Sequence, residues 1–160
     1  MDTIRVQLNG ETKVVAKGTT VQEILNAWPG AGHPQIVAGK VGKDLRELSF
    51  RLTEDTTVTP VDLTHVDGVR IYSRSLMMVF IRAAKEVFPH CQVKIMYSLS
   101  KGLYGELYLG RHLAEKDLRR VEERMRKIIA ADEKIEKIRM PLEEAVRIFE
   151  EEGLNDKVRL

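Results

Sequence analysis

The sequence predicts an α+β fold in two parts, and three observations carry that expectation. Apolar and polar side chains alternate on both sides of Asn9-Gly10. A helical period takes over near residue 64, and a second pair of alternating segments follows that helix. "IRVQL" (4 to 8) and the returning "TKVVA" flank Asn9-Gly10, a dipeptide that tolerates the positive φ of a type I′ turn, so the N-terminus reads as a hairpin. Thr20 followed three residues later by Glu23 makes a capping box at a helix start, with Val21, Ile24 and Leu25 on the apolar side and Pro29-Gly30 as the stop. Extended stretches at 36–41 and 56–63 bracket a turn-rich segment holding Gly42-Lys43-Asp44 and Thr53-Glu54-Asp55. The order strand, strand, helix, strand, strand is that of a β-grasp (ubiquitin-like) unit, a mostly antiparallel sheet curled over one helix.

From Asp67 the pattern is helical, with Val69, Tyr72, Leu76, Val79, Phe80, Ala83, Val87 and Phe88 on one broad face until Pro89. A hairpin follows, with strands at 92–97 and 103–110 around the turn "SLSKG". Leu118, Val121, Met125 and Ile128 then repeat at three and four, so the next helix is expected to bury those four and to solvate its charged side. "KIEKIRM" (134 to 140) reads as a strand running into Pro141, a favoured first helical residue, and the last helix ends at Gly153, the usual C′ residue. The expected domains are residues 1–63 and 64–160.

Composition limits the chemistry. With 43% hydrophobic residues the chain can bury a core, and 26 basic against 24 acidic side chains leave a formal charge of +2, so any phosphate site has to be local. A single cysteine, Cys91, excludes an internal disulfide and reads as a small packed hydrophobe. No apolar run reaches the length of a membrane span, and "MDTIRVQL" lacks the layout of a signal peptide; a soluble, cytoplasmic protein without membrane partners is expected. Gly39-Lys40-Val41 and Gly42-Lys43-Asp44 have neither the spacing nor the hydroxyl of a P-loop. His33, His65, His90 and His112 form no spaced pair, so no metal site is expected.

Two places remain as candidate binding sites. "SLSKGLYGE" (98 to 106) sets hydroxyls, a lysine and a glycine at a hairpin tip, a combination suited to an anion, although composition alone favours an ordinary hairpin with Lys101 in water. The charged face of the helix after it holds Arg119 and Arg120, which with Arg111 and Lys101 make a candidate RNA or phosphate patch; a solvated helix with pairs such as Glu123–Lys127 explains the same face without RNA.

Residues 3 to 63 resemble the TGS domain, the β-grasp module shared by threonyl-tRNA synthetases, certain GTPases and stringent-response enzymes. Residues 64 to 160 are similar to the start of the second additional domain of threonyl-tRNA synthetase, on "AAKEVFP", "KGLYGELYL", "DLRRVEERMRKI" and "KIEKIRMPLEEAVRIFEEEG". In that family the helix carries two histidines four residues apart that project into an editing site. Aligned on "AAKEVFP" the two positions are Arg74 and Met78, and neither side chain can serve as a histidine's acid, base or ligand, which argues against editing chemistry. The family's later Cys and His would lie beyond Leu160. "RSLMMVFIRAAKEVFP" and "YSLSKGLYGE" also look like a second family, bacterial proteins in which the same two regions precede a P-loop, uridine kinase-like domain.

That resemblance implies a noncatalytic regulatory region of a larger ATP-dependent nucleoside kinase. The partners would be a kinase domain downstream in the same chain and RNA or a small anionic ligand, with ATP and Mg bound in the kinase domain only. The alternative it leaves is a synthetase-related protein that binds tRNA or deacylates aminoacyl-tRNA. Arg74, Ser75, Ser98, Ser100, Lys101 and Tyr104 are the candidate ligand-binding residues on either reading. A cation in the first turns of a helix is mildly disfavoured by the dipole, a small hint that Arg74 has another purpose. A sulfur-carrier role is rejected, because "PVDLTHVDG" runs into a helix where a free Gly-Gly terminus is required.

Overall fold

A computed structural model describes residues 2–27, 35–99, 102–133 and 135–154. The chain forms two compact units, Met1–Arg126 and Lys127–Leu160, and the boundary expected near residue 64 lies inside the first of them.

The first unit opens with β1 (Thr3–Leu8) and β2 (Glu11–Ala16), antiparallel with Leu8 opposite Glu11. Asn9 and Gly10 take φ of 52° and 83°, as the two-residue turn requires. Helix α1 (Val21–Ala27) starts on the expected capping box: Thr20 N–H donates to Glu23 Oε2 at 2.7 Å, and Glu23 N–H donates to Thr20 Oγ1 at 3.2 Å. Thr20 N–H and the Thr20 hydroxyl, which donates to the same Oε2 at 2.8 Å, hold the Glu23 carboxyl below the ordinary carboxylate range. The stop at Pro29-Gly30 falls outside the described residues.

Three strands complete the sheet: β3 (Ala38–Val41), β4 (Asp44–Arg46) and β5 (Thr56–Val61). The order is β2-β1-β5-β3-β4, with β1 and β5 parallel and every other pair antiparallel. This is a β-grasp sheet, and β4 adds a strand where the sequence reads only as turn. Its three residues are all exposed, so no alternation marks it, and pairing with β3 through the Gly42 turn is what makes it a strand. Ile4, Val6 and Leu8 of β1 alternate inward against Val21, Ile24 and Leu25 of α1, with Leu52 and Val58 closing the core. Each fully buried side chain of this kind contributes roughly 1.5–3 kcal/mol before entropy is charged against it.

Helix α2 (Val66–Val87) leaves the sheet directly after β5. Its N-cap is His65, whose Nδ1 accepts from Asp67 N–H at 3.1 Å, a role that Ser, Thr, Asp or Asn fills more often. Lys40 of β3 approaches the same turn, with Nζ 3.2 Å from His65 Nε2 and 3.5 Å from the Asp67 carboxylate. Gly68 is buried at the Asp62 carbonyl; a Cβ at this position would lie 1.8 Å from that oxygen. Because the close approach is made by Gly68, its neighbour Val69 points outward at 48% exposure and Tyr72 at 51%, contrary to the single apolar face read from the sequence. Ala83 and Ala84 are buried further along, and Phe88 N–H closes the helix on Ala84 O before Pro89.

After α2 come β6 (Gln92–Leu99) and β7 (Gly102–Tyr108), an antiparallel pair with a register shift between Ile95 and Tyr97. Helix α3 (Glu115–Ala130) buries Val121 and Ile128, but Leu118 is 48% exposed and Asp117 takes the buried place. The change is confined to the first turn, where Asp117 replaces Leu118 on the buried face, and it is stabilised because the Asp117 carboxylate is fully partnered, as described below. Among the described residues the ion pairs within this helix are Glu115–Arg119 and Glu122–Arg126, and Arg124 pairs with Glu86 of α2; Glu123–Lys127 is not among those formed.

In the second unit the chain leaves α3 through Asp132 at φ 48° and reaches α4 (Leu142–Glu151). Residues 135–140 form no strand, because no other described segment pairs with them and an extended chain without a partner leaves its backbone polar groups to water. Pro141 is the N-cap of α4 and not its first helical residue. At the other end Gly153, at φ 71°, donates to Glu150 O at 3.0 Å and Leu154 N–H donates to Phe149 O at 2.8 Å, the Schellman closure expected there.

Candidate functional site

Arg74 and Met78 lie one turn apart on α2, which puts them on the same face. Arg74 is exposed, Met78 is 57% exposed and Ser75 is half-buried. The Arg74 guanidinium makes no side-chain hydrogen bond or ion pair among the described residues, so it is available to an anion. Since α2 begins at Val66, Arg74 sits two turns in, beyond the reach of the N-terminal dipole, and the electrostatic hint read from the sequence loses its basis.

In the hairpin, Ser98 is paired in register with Leu103 near the end of β6, while Ser100 and Lys101 lie outside the described residues. Tyr104 is on β7, and strand alternation puts it on one face with Glu106 and Tyr108. The Tyr104 hydroxyl donates to Glu106 Oε1 at 3.2 Å, and the Tyr108 hydroxyl donates to Glu106 Oε2. The hydrogen bond to Glu106 raises the Tyr108 phenol above its ordinary value, so the ring stays neutral. Lys94, opposite Glu106 in the register, holds its ammonium 5.6 Å from the centre of the Tyr108 ring.

The three arginines of the candidate patch have partners. Arg111 makes a two-pronged pair with Asp117, Nη1 to Oδ2 at 2.6 Å and Nη2 to Oδ1 at 2.9 Å, and donates a further bond to His112 O at 3.0 Å. Asp117 also accepts from Ala114 N–H at 3.0 Å, half of a capping box at the start of α3. Arg111 and the backbone bond together hold the Asp117 carboxyl far below the ordinary carboxylate range. Arg120 stacks over Phe88 at 5.0 Å and Arg111 over the same ring at 5.9 Å, so two guanidiniums meet the ring at the end of α2. Arg119 is paired with Glu115 at 2.6 Å. Arg111 therefore has a structural task, and Arg120 keeps its charge without a carboxylate partner among the described residues.

Sequence reasoning passed over Asp117 and the Tyr104-Glu106-Tyr108 row. The row was readable as three large polar-tipped side chains at i, i+2 and i+4. Asp117 gives no signal in one sequence, because a carboxylate beside an apolar period looks like the solvated edge of the helix.

No protein-family model matches the chain. It is 32% identical over 162 aligned residues to a threonine–tRNA ligase of Pelobacter propionicus, an alignment covering 100% of this chain and 25% of the ligase. A threonine–tRNA ligase of Acetivibrio thermocellus is 26% identical over 152 residues, covering 95% of this chain and 24% of the enzyme. Threonine–tRNA ligase 2 of Bacillus subtilis is 28% identical over 147 residues, with 91% and 23% covered. Among the described residues no helix is long and apolar enough to cross a membrane. The homologues of this β-grasp and α+β chain are thus threonine–tRNA ligases, and it spans about a quarter of the length of the curated relatives it matches.

Proposed function

We propose that this chain is a tRNA-binding module of the threonyl-tRNA synthetase type that recognises tRNA without deacylating it. One observation carries the reading: similarity to threonine–tRNA ligases runs through the whole chain, yet the two helix positions at which the synthetase resemblance implies histidines hold Arg74 and Met78. A guanidinium cannot take or give a proton near neutral pH, whereas it binds phosphate well, and that of Arg74 is exposed and unengaged among the described residues.

Filter binding of the purified chain to tRNA, over a series of salt concentrations, tests the reading. Binding that weakens with salt is expected, and Arg74→Ala should weaken it several-fold and flatten the salt slope by about one phosphate contact. Incubation with mischarged tRNA should give hydrolysis at background only. Absence of tRNA binding overturns the module, and hydrolysis above background overturns its noncatalytic character.

The uridine kinase reading keeps one support, the same loss of both imidazoles together with the form of "YSLSKGLYGE". It requires ATP and Mg in a domain outside residues 1–160 and uses no residue of this chain for phosphoryl transfer. Reading the encoding gene past Leu160 decides it: a GxxxxGK[ST] segment supports the kinase and its absence removes it.

A further inference from the structure

Resting on the tRNA reading, we infer that the exposed face of the β6–β7 hairpin is a stacking platform for unpaired nucleotides of RNA. Tyr104 and Tyr108 are 40% and 47% exposed on that face of β7, and four residues of strand set them about 13 Å apart. Their hydroxyls converge on the two oxygens of Glu106, which fixes the tips of both rings and leaves ring surface to solvent. An aromatic face held in place in this way is what sequence-tolerant single-strand binders offer to a base, since every base has a π surface and the ring has little motion left to lose.

Charge on the same face agrees with this occupant. The Glu106 carboxylate is engaged by two hydroxyls and faced across the strands by Lys94, so its repulsion of phosphate is reduced. The Lys94 ammonium lies over the Tyr108 ring, 5.6 Å from its centre, so a base stacking on that face displaces it outward, where it meets the phosphate of the same nucleotide. A protein partner fits less well. The centre of a protein interface is depleted of charge, and here Lys94 and Glu106 stand between the two rings.

The test is fluorescence anisotropy of the full chain with a labelled single-stranded oligoribonucleotide and with the same strand annealed into a duplex, alongside whole tRNA. Preference for the single strand is expected. Tyr108→Leu and Tyr104→Leu should each lower single-strand affinity about tenfold, while Tyr108→Phe, which keeps the ring and loses only the bond to Glu106, should lower it far less, about twofold. Lys94→Gln, which leaves both rings, should reduce the salt slope by about one. Circular dichroism confirms that each variant is folded, and the Phe and Gln variants keep the test decisive if a Leu variant is not. Equal affinity for single strand and duplex, or Leu variants that are folded and bind unchanged, overturns the platform. If tRNA binds equally well to parent and Leu variants, the platform fails and the tRNA module stands; if the oligonucleotide binds through the tyrosines but tRNA does not bind, the module fails and the platform stands.

Discussion

Gly68→Ala is expected to destabilise the β-grasp unit and α2 together by about 3 kcal/mol or more. Two effects oppose each other at this site. Alanine is the better helix former, by about 1 kcal/mol at an interior position. Against that, its methyl carbon would stand 1.8 Å from the Asp62 carbonyl oxygen and 2.7 Å from the carbonyl carbon. Both atoms are backbone, so no rotamer change relieves the overlap. Asp62 O also accepts from His65 N–H at 3.2 Å, in the turn that starts α2, so moving the carbonyl away loosens the helix start at the same time. Clash therefore outweighs propensity. Urea unfolding of the parent and variant measures the difference, and a variant as stable as the parent would show that α2 does not approach the end of β5 this closely.

Asp117→Ala should lower the thermal midpoint by several degrees, more than Arg111→Ala does. Removing the carboxylate leaves the Ala114 N–H without its acceptor and frees Arg111 from the bonds that hold it near Phe88. Removing Arg111 leaves Asp117 its backbone bond and access to water through the space vacated by a half-exposed side chain. The same carboxyl gives a pH signature. Its folded-state pKa lies below the unfolded value, so in the range between them the unfolded chain binds more protons than the folded one. Stability from this group is thus complete above the ordinary carboxylate range and is lost as pH falls through that range and below it. Melting curves of the parent should show this acid-side loss, and in Asp117→Ala it should be smaller; identical acid profiles would mean the pair contributes nothing.

The sequence announces an element wherever the local chemistry has one solution. Asn9-Gly10 supplies the two positive φ values of the turn, Thr20 and Glu23 satisfy each other's donors, and Gly153 takes the left-handed C′ position, each without help from the rest of the fold. Where the outcome depends on a neighbour, the sequence is silent or misleading. The strand β4 exists because β3 is beside it, and residues 135–140 read as a strand but lack a neighbour among the described residues. His65 as a cap, Gly68 as a contact point and Asp117 in place of Leu118 are decided by what packs against them. Within the candidate site the positions of Arg74 on a helix and Tyr104 on a strand were legible. The commitment of Arg111 to Asp117 and the joining of two tyrosines through Glu106 were not, since both depend on how side chains meet after folding.

Placement of β1 in the sheet also bears on synthesis. This first strand lies between β2 and β5, pairing in parallel with a segment some fifty residues later, Val6 against Thr56. As the polypeptide leaves the ribosome, the opening hairpin forms early but keeps one edge of β1 open until Val61 has emerged. Loop closure over that separation is a nonlocal step in acquiring the native state, and nascent chains halted before it leave the backbone edge of β1 unpaired.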